Sequence, residues 1–132
     1  MSQRQSLGAI SPSFIVRDVP RAIRFYVERL GFEVRFSEPA DQPFVAIVGR
    51  DAVQIFLKSV PGDIGAQPNH TRHEWVPWDA FVFVQDPDLL AAEFTSRSLS
   101  FHRDIMDRKD GLRGFEVSDE DDYVLFFGRP NN

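Results

Sequence analysis

Between Asp18 and Gly31 the apolar residues Val19, Ala22, Ile23, Tyr26 and Leu30 recur every three or four positions, the spacing that gathers side chains on one side of a helix. Asp18 supplies a cap, Pro20 falls in the first turn and Gly31 stands at the stop. The pattern predicts a helix from Val19 to Leu30. Ahead of it, Ile10 to Val16 contains the strand formers Phe14, Ile15 and Val16 behind Ser11-Pro12-Ser13. After it, Phe32 to Phe36 alternates apolar with charged residues, as a half-exposed strand does. Phe44 to Val48 and Val53 to Leu57 follow, with Gly49-Arg50-Asp51 as the hairpin between them. The first half reads βαβββ.

From Ser59 to Trp78 no period is sustained and Pro, Gly, Asn and His accumulate, which reads as a connector. Ala80 to Val84 is an unbroken apolar strand, and Asp86-Pro87 then opens a second helix running to about Arg97, with Leu90, Ala91 and Phe94 on its apolar face. Leu99 to His102, Gly114 to Val117 and Tyr123 to Phe127 are three more strand candidates. The second half is βαβββ again. The two helix caps lie about 68 residues apart, close to half the chain, and the final strands fall nearly in step. The halves share almost no residues, so the repeat is one of order and spacing. A single domain over 1–132 is expected, with modules at about 8–58 and 79–130 joined by the connector at 59–78.

Composition narrows the chemistry. Among 132 residues there is no cysteine, which removes disulfides, thiolate metal sites and a cysteine nucleophile, and fits a cytoplasmic setting. No apolar run approaches the roughly 20 residues a membrane helix needs, and the opening residues lack the apolar stretch of a signal peptide. A net charge of -5 with scattered basic residues argues against a nucleic-acid partner. It suits a neutral or cationic small molecule. The unusual feature is 13 Phe, which either fill an interior or line a site.

Arg17-Asp18-Val19-Pro20-Arg21-Ala22-Ile23-Arg24-Phe25-Tyr26 with Leu30-Gly31-Phe32, and Gly111 to Asp119 followed by Tyr123 to Gly128, resemble the signature segments of the glyoxalase, bleomycin resistance and extradiol dioxygenase proteins, the vicinal oxygen chelate superfamily. The resemblance implies an α+β fold in which tandem βαβββ modules form a curved mixed sheet around a cavity, with the helices outside. It also implies where a metal would be held. The first-strand ligand positions correspond to Ser11 and Asp79, the last-strand position of the second module to Phe126, and its counterpart in the first module falls near Ile55, beside Gln54. One of four can ligate, while a stable divalent site needs three or more donors. No resident metal or other cofactor is expected. The bleomycin resistance type is the nearest in kind, which implies sequestration of a ligand in grooves formed by two subunits, hence a homodimer. The usual Asp-Pro-Asp-Gly-Asn turn reads Asp119-Glu120-Asp121-Asp122-Tyr123 here; the Gly that suits a tight turn is missing, while Asp tolerates a positive φ better than most residues.

Alternation places Asp79, Phe81 and Phe83 on one strand face. In the family geometry that face meets the cavity, joined by Phe126 and Val124 and, from the first module, by Ile55 and Val53. These side chains either line a pocket or fill it. Trp75 and Trp78 can stack on a planar or cationic ligand, or plug the cavity or the dimer seam. Asp79 can pair with a cationic ligand, take part in acid–base work, or bond to backbone amides. His70, His73 and Glu74 look like chelators, but Pro68 and Pro77 flank them and no helical period aligns them, so a solvated loop is expected. His102 reads as a strand-edge histidine, and Asp119 to Asp122 as a solvated turn. The expected ligand-binding set is Phe44, Ile55, Trp75, Trp78, Asp79, Phe81, Phe83 and Phe126, with no catalytic residue; the rival is a metal-dependent lyase or dioxygenase of the same superfamily.

Overall fold

The computed structural model describes residues 4–61, 65–75 and 77–131. In the first module, β1 (Ser13–Ile15) leads to α1 (Val19–Leu30), β2 (Glu33–Glu38), β3 (Val45–Arg50) and β4 (Val53–Lys58). In the second, β5 (Ala80–Phe83) leads to α2 (Pro87–Ser96), β6 (Arg103–Asp107), β7 (Leu112–Ser118) and β8 (Val124–Pro130). Each module folds into a curved, open four-stranded sheet, ordered β1-β4-β3-β2 and β5-β8-β7-β6, whose first strand pairs in parallel with its last. The α+β architecture and the repeat of elements are as the sequence predicts. Among the described residues no helix is long and apolar enough to cross a membrane.

Local chemistry sets the boundaries. The Asp18 side chain accepts from the Arg21 N–H at 3.1 Å and that of Asp86 from the Leu89 N–H at 3.1 Å, so both helices start at an aspartate cap. Gly31 adopts φ 71°, and its N–H closes α1 on the Tyr26 carbonyl. Asp122 takes φ 67° and donates its N–H to the Asp119 carbonyl at 3.0 Å, so the turn that usually has Gly is formed with Asp.

The sixth strand is displaced from its prediction. Leu99 to His102 is not a strand; Leu99 is buried in the core and its N–H still bonds the Phe94 carbonyl, so these apolar residues bring the chain down from α2. The strand is Arg103–Asp107, at the sheet edge. Its mainly polar, exposed residues lack an apolar alternation.

One continuous core joins the helix-facing sides of both sheets, including Tyr26, Leu30, Ile55, Leu57, Phe94, Phe115 and Phe127. Two polar joints flank it. At one, the Tyr26 hydroxyl donates to Asp119 Oδ2 at 2.7 Å, Arg17 Nε donates to Asp121 Oδ1 at 3.0 Å, and the Tyr123 hydroxyl donates to the Ile15 carbonyl at 2.8 Å while its ring stacks on Phe14 at 4.2 Å. Asp119 therefore sits in a buried cross-module bond rather than a solvated turn. Its burial pushes its carboxyl up to about 6, against three hydrogen bonds that favour the charged form, and burial and Asp119 raise the Tyr26 phenol. At the other joint, Arg50 donates to both oxygens of Glu93 at 2.8 and 2.9 Å and to the Leu30 carbonyl at 3.0 Å. Its guanidinium holds the Glu93 carboxyl below its ordinary range.

Candidate functional site

Residues paired across a ladder project from the same side of a sheet. In the second module, Phe81 pairs with Phe126, Phe126 with Glu116, and Glu116 with Arg103, giving one row across all four strands on the side away from the helix. The neighbouring row is Phe83, Gly128, Gly114 and Met106. The two glycines have a specific use. A Cβ at Gly114 would come within 2.6 Å of the Phe126 ring and one at Gly128 within 2.5 Å, so the ring lies in a cradle that side chains would fill. With Trp78, Phe81 and Arg108 over the ring as well, Phe126 is 1% exposed.

On this base an aromatic floor is assembled. The ring of Trp78, at the end of the connector, lies 4.8 Å from Phe126, and that of Phe81 lies 5.1 Å from Phe126 and 6.1 Å from Trp78. Arg108 places its guanidinium carbon 5.0 Å from the Trp78 ring and 5.5 Å from the Phe126 ring, within cation–π range. The same Arg108 donates to Asp110 and, through Nη1 at 3.4 Å, to Glu116 Oε2. Glu116 is 1% exposed, and its other oxygen, Oε1, has no hydrogen-bond partner. Around that oxygen stand Arg103 Nε at 3.5 Å and His102 Nε2 at 3.7 Å.

The predicted residues divide. Trp78, Phe81, Phe83 and Phe126 share this face, with Phe83 exposed at its rim. Asp79 stands just before β5, and its oxygens accept the Asn69 N–H at 2.7 Å and the Val124 N–H at 2.9 Å, the backbone-bonding alternative. Trp75 is 79% exposed and meets His73, not Trp78. Phe44 is exposed just before β3, in the first module. Ile55 is on the wrong face for the expected cavity: it pairs with Val48, and both are buried in the core with α1. Pairing of Ser13 with Phe56 makes Phe56 the first-module counterpart of Phe126. The one-residue difference reverses the face, because strand side chains alternate.

His70 and His73 are turned to different partners. His70 lies in a short 3₁₀ turn and its Nε2 donates to the Asp122 carbonyl at 2.8 Å, while His73 Nδ1 accepts from the Trp75 N–H. Among the described residues no group of three or more His, Asp or Glu is disposed to hold a metal. The superfamily's metal positions do not fit one here: Ser11 and Phe126 offer no anionic donor and Asp79 is committed to backbone N–H groups. Sequence reasoning missed Glu116, Arg103 and Arg108. A polar residue between Phe115 and Val117 marks the opposite sheet face, but alternation cannot say that this face is aromatic, nor that three basic groups close over it.

A separate cavity of about 340 Å³ lies between the modules on the helical side, where Phe32, Val53, Val82, Leu90 and Phe94 line it and Arg50 is held by Glu93. A smaller hollow of about 250 Å³ runs from Pro12, Gln54 and Ile55 to Phe81 and Phe83, so Ile55 borders it with two of the expected residues although its side chain packs in the core.

Comparison with known proteins agrees with this architecture. The family model described as Glyoxalase/Bleomycin resistance protein/Dioxygenase superfamily matches residues 8–127. A search of curated proteins finds no match. Among solved structures, the chain is similar to the bleomycin-binding protein of bleomycin-producing Streptomyces verticillus in complex with copper(II)-bleomycin, at 25% identity over 95% of this chain and 97% of that one, with a TM-score of 0.67. It shares its fold with TioX from Micromonospora sp. ML1, at 20% identity over 96% and 99% of the two chains and a TM-score of 0.68. The antibiotic-binding protein TnmS3 from Streptomyces sp. CB03234 is also similar, at 19% identity over 97% and 100% with a TM-score of 0.66. On the family match over most of its length and the paired βαβββ modules, the chain belongs to the glyoxalase/bleomycin resistance protein/dioxygenase superfamily.

Proposed function

We propose that this protein binds and sequesters a small aromatic or cationic compound, such as an antibiotic, on the aromatic floor of its second module, without a metal and without transforming the ligand. The observation that carries this reading is the seating of Phe126 in its glycine cradle, with Trp78 and Phe81 packed beside it on a sheet face that the protein's own helices do not cover. With Phe126 buried beneath them, the exposed Phe81 and the half-buried Trp78 offer the apolar faces onto which another ring can stack. The similar protein from Streptomyces verticillus, which holds copper(II)-bleomycin, supports the ligand class.

The reading includes a homodimer in the cytoplasm. Phe36, Phe56, Phe81, Phe83 and Met106 are all exposed on faces away from the helices. Apolar surface of that kind is normally covered by a partner, and a second copy would close the face into a groove. Sedimentation at micromolar concentration is expected to give a dimer; a monomer at every concentration would remove this part of the proposal.

The binding claim is tested by thermal unfolding against a panel of aromatic and cationic compounds that includes copper(II)-bleomycin. A compound present at about 100 times its dissociation constant stabilises the protein by about 2.7 kcal/mol through mass action. Trp78→Ala is expected to abolish the stabilisation. A panel without effect, or a hit indifferent to that substitution, would refute the assignment.

A further inference from the structure

Glu116 is not explained by the fold. A carboxylate withdrawn from water is unfavourable unless both its oxygens are paired and hydrogen-bonded, yet Glu116 is 1% exposed with Oε1 unbonded. Three basic groups surround it on unequal terms. Arg108 is anchored, bonding Asp110 as well as Glu116 Oε2 and standing over the Trp78 and Phe126 rings. Arg103 and His102 approach Oε1 only to 3.5 and 3.7 Å, in ion-pair range but without a hydrogen bond. The Arg103 side chain is 63% exposed and makes no hydrogen bond among the described residues. It neutralises the oxygen without satisfying it, and little holds it there.

We propose that Glu116 is the acid that recognises the ligand: its free Oε1 accepts from a protonated amine or amidinium of the bound compound, and Arg103 is the resident cation which that group displaces. This rests on the binding reading above and sharpens it. Two independent observations converge on a cation. An orphan acceptor calls for a donor, and the adjoining floor already accommodates a positive group over its rings, as Arg108 demonstrates. Asp79, just before β5, is committed to backbone amides and cannot take the part. An acidic ligand seated on Arg103 and His102 would instead leave Oε1 unbonded and bring a second negative charge beside it.

The test is calorimetric titration of the whole protein with three probes of one shape: naphthylmethylamine, its neutral alcohol counterpart and naphthoate. The wild type is expected to bind the amine about tenfold more tightly than the alcohol, the scale of one charge-assisted hydrogen bond. Glu116→Gln erases that difference. Arg103→Gln strengthens amine binding by about threefold, because it removes the competing cation. If Glu116→Gln does not fold, the exposed Arg103 variant decides by its sign, since an anion site predicts weakening. Naphthoate binding tightest and losing affinity in Arg103→Gln overturns the proposal, as does equal affinity of the wild type for amine and alcohol. Failure of every probe, the alcohol included, overturns the aromatic binding reading along with it.

Discussion

On the sheet faces away from the helices, the two modules place different chemistry at matching points of one topology. The row across the first module is Ser13, Phe56, Ile47 and Phe36; the row across the second is Phe81, Phe126, Glu116 and Arg103. Each third strand has a glycine beside that row, and each glycine is overlain. At Gly49 the covering group is the Arg35 guanidinium, which donates to Glu33, Gln54 and the Asp51 carbonyl. At Gly114 it is the Phe126 ring. The first module thus spends its polar groups on one another, whereas the second buries a carboxylate with an unused oxygen next to three rings. The repeat supplies a scaffold twice and the proposed recognition surface once.

Truncating the two central phenylalanines gives the largest expected contrast. Phe126→Ala empties a fully buried cradle and should lower stability by about 3–5 kcal/mol, while Phe56→Ala, at a partly exposed ring, should cost about 1–2 kcal/mol. Urea unfolding measures both, and equal losses would show that the modules do not differ as described.

The next contrast concerns the joint that makes the modules one body. Because the Asp119 carboxyl is pushed up to about 6 from its ordinary 3.8, the folded state holds this proton more tightly than the unfolded chain. Its contribution is therefore fully present below about pH 4 and is lost as pH rises through 6, a change of up to about 3 kcal/mol. Asp119→Asn can keep the two amide bonds at Oδ1 and removes the titration. Subtracting its stability profile from the wild type's between pH 4 and 7 should leave a curve falling with pH; a flat difference contradicts the joint's electrostatics.

Asp79 separates fold from recognition within the second module. Asp79→Ala leaves the Asn69 and Val124 N–H groups without an acceptor and is expected to lose about 1–3 kcal/mol in chemical denaturation. The folded fraction should bind the amine probe as the wild type does, and a selective loss of amine binding would return the ligand's charge partner to Asp79. The smallest effect is expected at Gln54→Ala, which removes one exposed bond to Arg35 and should shift the melting free energy by no more than about 0.5 kcal/mol, without touching ligand binding.

Much of the scaffold was legible because its signals are local. Helical spacing with an aspartate cap and a Gly stop defines α1 wherever the chain sits, and alternation is enough to place Phe81 and Phe83 on one face. Edge strand β6 was missed because its partly exposed, polar residues have no apolar pattern to read. Ile55 lies one residue out of register with Phe56, the first-module counterpart of Phe126, and in a strand one residue inverts the side chain.

The sequence alone determined the module order, the helix caps, the family signature and the loss of ligating side chains at the superfamily's metal positions. All of these depend on residue identity and on spacing along the chain. Only the tertiary structure decided that Asp79 is occupied by backbone amides, that Asp119 ties one module to the other, and that Glu116 lies buried under Arg103, Arg108 and His102 with one oxygen free. The reason is physical: what a carboxylate does depends on which donors reach it and whether water is excluded, and those neighbours come from strands and turns distant in the chain.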